Sequence, residues 1–126
     1  MKNIILLSII AMFLMNGCNS EKAVPEDLQK FAGKWEITIK DLPKEGDKLL
    51  TTYLTPKDSI LKGYFVETNG GRTELATIEV NGNKMKCKFN WGGHNVSYKV
   101  ELDEQSPNLM NGRFLNIFKV VGEKIE

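Results

Sequence analysis

KMKCKFNW, residues 84 to 91, alternates strictly: Met85, Cys87, Phe89 and Trp91 fall on one side, and Lys84, Lys86, Lys88 and Asn90 on the other. Successive side chains of an extended chain point to opposite faces, so this is a half-buried β-strand with an apolar and a charged face. After Gly92-Gly93-His94-Asn95, the stretch VSYKVEL repeats the pattern: Val96, Tyr98, Val100 and Leu102 lie on one face, and Ser97, Lys99 and Glu101 on the other. A Gly-Gly pair accepts the positive φ of a tight hairpin, so the two stretches pair as neighbours. Glu101 then offsets the lysine row, which reads as a solvated outer face.

The same rhythm runs outward in both directions. Strands are expected at Lys34 to Lys40, Leu49 to Thr55, Ile60 to Thr68, Thr73 to Val80, Lys84 to Trp91, Val96 to Leu102, Leu109 to Leu115, and Ile117 to Val121. Between them lie turn signals such as PKDS, NGGR, NGN and DEQSPN. Turns this short join only neighbours, which makes the chain an all-β, antiparallel up-and-down meander. About eight strands with one apolar face remove their edges by closing into a small barrel, whose interior is filled by side chains or holds one small ligand. Gly63 in LKGYF and Gly112 in MNGRF sit mid-strand, where glycine costs stability unless it bends the strand or permits close backbone approach. Ahead of the first strand, PEDLQKFAG reads as a short helical turn that stoppers one barrel end: proline in its first turn, acidic residues at the positive end of the dipole, glycine after it.

Residues 1 to 18 are different in kind. One lysine precedes an apolar run from Ile4 to Met15, too short to span a bilayer, and Asn16, Gly17 and Cys18 follow. This end resembles the bacterial lipobox. The resemblance implies residues 1 to 17 as a lipoprotein signal peptide, acyl chains on Cys18, a tether over residues 18 to 24, and one domain over residues 25 to 126. Several acyl chains anchor a protein essentially permanently at about 0.8 kcal/mol per buried methylene. The implied address is the cell envelope, lipid-anchored at the outer membrane, with the bilayer as the expected partner through the acyl chains.

Charge narrows the function classes. The chain holds 17 basic and 16 acidic residues, and without Lys2 the two balance at 16 each. No basic surplus is available for phosphates, so no nucleic-acid partner is expected. With Cys18 acylated, Cys87 has no partner for a disulfide, and the fold rests on packing.

Phe31-Ala32-Gly33-Lys34-Trp35, a helical lead into a Gly-x-Trp that opens the first of about eight strands, resembles the start of a lipocalin or another calycin-type barrel. The resemblance extends in pattern over residues 24 to 121. It implies that Trp35 is a structural keystone packed against Phe31 and a basic residue from late in the sequence, Arg113 or Lys119.

No residue pattern points to catalysis. His94 is the only histidine and reads as an exposed turn residue; no Cys/His spacing fits zinc, and the turn aspartates lack a calcium-loop pattern. No enzyme activity, metal or cofactor is expected. The inward face of Met85, Phe89, Trp91, Tyr98 and Val100, aromatic toward Gly92, is the candidate lining for a small hydrophobic ligand at the barrel mouth. The alternative is a filled core with an interaction role, as accessory subunit or inhibitor, carried by the loops. An interior volume of about 300 Å³ or more separates the two readings.

Overall fold

A computed structural model describes residues 25–126; the signal, Cys18 and the tether lie outside the described residues. The chain opens with α1 (Glu26–Phe31) and continues in nine antiparallel strands: β1 (Gly33–Leu42), β2 (Gly46–Lys57), β3 (Ile60–Glu67), β4 (Arg72–Glu74), β5 (Thr77–Asn81), β6 (Lys84–Trp91), β7 (His94–Leu102), β8 (Leu109–Phe114) and β9 (Phe118–Lys124). They form one sheet in the order β4-β3-β2-β1-β9-β8-β7-β6-β5. The expected up-and-down meander is therefore present, curled into a half-barrel whose two chain ends meet where β9 pairs with β1.

The stretch expected as one strand, Thr73 to Val80, is two. β4 pairs with β3, and β5 pairs with β6. The handover falls at Leu75 and Ala76: the Leu75 amide donates to the Gly63 carbonyl at 2.9 Å, and the Ala76 amide to the Lys88 carbonyl at 2.8 Å. No ladder joins β4 to β5, so the curled sheet meets itself there through this bend and through side chains such as Phe65 and Phe89, whose rings lie 5.1 Å apart. Local alternation has no means of placing such a split within an eight-stranded barrel, because it depends on the three-dimensional approach of β3 and β6.

Period-two patterning decides what faces inward. Trp35, Ile37 and Ile39 of β1, Leu50 and Leu54 of β2, Phe65 of β3, Met85, Cys87 and Phe89 of β6, and Tyr98, Val100 and Leu102 of β7 are all buried. Met110 and Phe114 of β8 and Val120 of β9 complete the interior. Gly63 and Gly112 occupy inward positions of their strands. A Cβ at Gly63 would run into the Tyr53 carbonyl, and one at Gly112 into the Lys99 backbone, so both glycines are required by close strand approach.

α1 covers the end of the sheet at which β5 turns into β6. Leu28 and Phe31 are buried there, the Gly82 amide donates to Asp27 Oδ2 at 3.2 Å, and Lys30 Nζ donates to Asn83 Oδ1 at 3.1 Å. Glu26 and Asp27 stand in the first turn and Lys30 in the last, matching the helix dipole. The helix stops because Ala32 is already extended, at φ −67° and ψ 145°.

Candidate functional site

The candidate ligand-lining face splits in two. Met85, Phe89, Tyr98 and Val100 point into the interior and are at most 3 % exposed. Their neighbours are side chains of this chain. The Phe89 ring lies 5.1 Å from Phe65, 5.9 Å from Tyr98 and 6.3 Å from Phe114, mostly edge to face. The inward side chains pack on one another and are closed to solvent.

Trp91 sits apart, half-buried at the rim. Its indole Nε1 donates to Glu67 Oε2 at 3.0 Å, and its ring packs 5.6 Å from Phe114 and 6.1 Å from Phe65. Lys48 Nζ lies 3.1 Å from Glu67, 3.1 Å from Glu45 and 5.8 Å from the Trp91 ring centre. The hydrogen bonds to Glu67 and Glu45 raise the Lys48 pKa above its ordinary value. This network latches the tryptophan edge-on across the rim. A cleft of about 390 Å³ lies next to it, lined by Glu45, Asp47, Lys48, Leu49, Glu67 and Asn69 among others, and most of those groups are polar.

Three polar side chains share the deep interior. Burial pushes the Cys87 thiol up to about 12, and it raises the Tyr98 hydroxyl well above its ordinary value, with the Cys87 charge adding to the effect. Thr52 is fully buried and spends its proton on the Leu50 carbonyl at 3.1 Å. Cys87 and Thr52 lie close enough to influence Tyr98, yet its hydroxyl makes no hydrogen bond of proper geometry among the described residues. A thiol held protonated in an apolar core is a poor nucleophile, so Cys87 is structural.

Trp35 is fully buried, and its indole Nε1 donates to the Phe31 carbonyl at 2.9 Å. The cation beside it is Lys124, with Nζ 5.8 Å from the ring centre, and not Arg113. The expectation for Arg113 fails on register. Met110 and Phe114 face inward, so Arg113 between them faces out, opposite Lys99 and Lys119, and gives its Nη1 to the Ile117 carbonyl at 3.2 Å. Lys119 likewise stands on the outer side, whereas Lys124 lies directly opposite Trp35 on β9.

The outer face, expected as a solvated lysine row, carries a groove of about 400 Å³ that crosses β5 to β8, with Lys84, Lys86, Lys99, Glu101, Asn111 and Arg113 among its lining. His94 opens β7, exposed and opposite Trp91. Among the described residues no group of three or more His, Cys, Asp or Glu side chains is arranged to hold a metal ion.

These features define an all-β, curled-sheet domain with a packed aromatic interior and its accessible relief on the rim and outer face. Comparison with protein-family models, with curated proteins and with solved structures finds no match for the chain.

Proposed function

We propose that the chain is a non-enzymatic binding module of the bacterial cell envelope, tethered by acyl groups on Cys18, that engages a partner through its outer surface with a core filled by its own side chains. The observation that carries this reading is the interior: Met85, Phe89, Tyr98 and Val100, the best candidates for a ligand lining, are consumed by mutual packing. The tether rests on the apolar run from Ile4 to Met15 ending in Gly17 and Cys18.

A second reading keeps one specific support. Trp91 is half-buried at the rim, so a small hydrophobic ligand at the mouth of the sheet would touch it first. Titrating the full chain with fatty acids while following tryptophan fluorescence and melting temperature separates the two. The filled-core reading expects both signals to stay flat. A saturable response lost in Trp91→Ala and kept in Trp35→Phe would replace it with the ligand reading.

A further inference from the structure

The register of four strands lines up cations. Lys86 of β6 stands opposite Lys99 of β7, Lys99 opposite Arg113 of β8, and Arg113 opposite Lys119 of β9. Their strand neighbours Cys87, Tyr98, Phe114 and Val120 are buried, so all four point outward. Strands are about 4.8 Å apart, which makes the row about 14 Å long. Like charges set directly opposite one another oppose folding. Ion pairs among the described residues engage Lys30, Lys40, Lys48 and Arg72 and none of these four. Glu79 opposite Lys86 and Glu101 opposite Lys84 stand on the border of the row without forming an ion pair with it.

A second, independent feature adjoins the row. In the turn between β8 and β9, Leu115 and Asn116 have φ of 56° and 60°. A bulky residue in the left-handed region is strained, and such strain concentrates at functional positions. The turn displays Leu115 at 41 % and Ile117 at 64 % exposure, while Asn116 lines the same groove as Lys86, Lys99 and Arg113. Cations and amide donors thus line one groove, and the turn that supplies Asn116 carries two exposed aliphatic side chains beside it.

We propose that this face docks an extended acidic segment of a protein partner, with carboxylates on the row and an apolar side chain against Leu115 and Ile117. An extended chain advances about 3.4 Å per residue, so side chains i, i+2 and i+4 span about 14 Å on one face, the length of the row. A bilayer is the weaker fit. The groove is concave, and the turn carrying Leu115 lies at the opposite end of the strands from α1, the end by which the tether of the proposed module would arrive.

The proposal deepens the filled-core reading and is tested apart from it. The full lipidated chain in nonionic detergent is titrated against a short fluorescent peptide of interspersed glutamates and leucines, and against its glutamine counterpart, by anisotropy. The glutamate peptide is expected to bind roughly tenfold or more tightly than the glutamine one, with affinity falling as salt rises. Lys99→Glu and Lys119→Glu, each made alone so that the new carboxylate faces a cation across the ladder, should each lose about tenfold in affinity with an unchanged or higher melting temperature, Ile117→Asp should weaken binding, and Lys57→Glu, remote from the row, should change nothing. Equal binding of both peptides, no binding of either, or insensitivity to the row substitutions overturns the proposal. So does recruitment of the Cys18→Ser chain by phosphatidylglycerol over phosphatidylcholine vesicles without peptide binding, which assigns the row to a membrane. A fatty-acid response at Trp91 removes the filled-core reading and leaves this measurement standing.

Discussion

Tyr98 carries a cost that its own sequence context conceals. The alternation of residues 96 to 102 places it inward, but only the packed interior reveals that its hydroxyl is fully buried and makes no hydrogen bond of proper geometry among the described residues. A buried unpaired hydroxyl costs about 1 to 3 kcal/mol, so Tyr98→Phe is expected to stabilise the fold by about 1 kcal/mol in denaturant titration, after allowing for the small void. A loss of stability would mean that the hydroxyl is satisfied. Alkali adds a second signature. The folded Cys87 thiol ionises near 12 while the unfolded one ionises near 9.0, so the unfolded chain holds fewer protons between those values and stability falls as pH rises through that window. Tyr98, also raised, contributes in the same direction. Tyr98→Phe and Cys87→Ala should each flatten the alkaline decline, and Cys87 should resist maleimide until the chain unfolds. Trp35 shows the opposite balance of legibility. Its role as a buried keystone on Phe31 is readable from Gly-x-Trp behind a helical turn, whereas its cation is Lys124, because pairing between β1 and β9 depends on a register no local pattern encodes.

Among the elements, β8 and its turn combine a close strand approach at Gly112 with a left-handed leucine at position 115. Gly112 lies so close to the Lys99 backbone that a Cβ forces the strands apart, and Gly63 meets the Tyr53 carbonyl in the same way. Overpacking of this kind costs about 1 to 3 kcal/mol, so Gly112→Ala and Gly63→Ala should each lower the melting temperature clearly, while Gly71→Ala, which meets only the Asn69 side chain, should not. The glycine echo was visible in sequence; the strained turn was not, since Leu115 reads as the end of a strand and Ile117 as the start of the next. Asn116 was the available signal, a residue tolerant of positive φ. Replacing Leu115-Asn116 by Asn-Gly should relieve the left-handed leucine and stabilise by roughly 0.5 to 1 kcal/mol in the same titration. The charged row has the same character. Lys99→Glu puts a carboxylate between Lys86 and Arg113, and cross-strand pairs of opposite charge are worth about 0.2 to 1 kcal/mol relative to neutral ones. Thermal melts should show the variant equal to or above the parent in low salt, the gain shrinking in high salt; a clear fall would mean that the four cations are already compensated.

For the molecule as a whole, closure is uneven around the sheet. β1 is flanked on both sides, by β2 and by β9, and joins the first part of the chain to the last. At the other side of the curl, β4 has three residues and β5 five, each pairs along one edge only, and the sheet meets itself through the Leu75–Ala76 bend. Meander, outward charge and stoppered end follow from alternation and turn chemistry, which are local; the split of residues 72 to 81 and the alignment of the cation row follow from long-range register, which is not. Local opening follows hydrogen-bond pairing and buried contact, so the seam should open first and the β1–β9 ladder last. Hydrogen exchange at peptide resolution should therefore protect residues 33 to 42 and 118 to 124 most strongly and residues 72 to 81 least among the strands. Leu75 is the buried link at the bend, and Leu75→Ala should speed exchange of the seam while leaving β1 and β9 slow. If the seam proved as protected as β1 and β9, strand pairing between β4 and β5 would have to be continuous in solution, and the curled half-barrel would be a fully closed one.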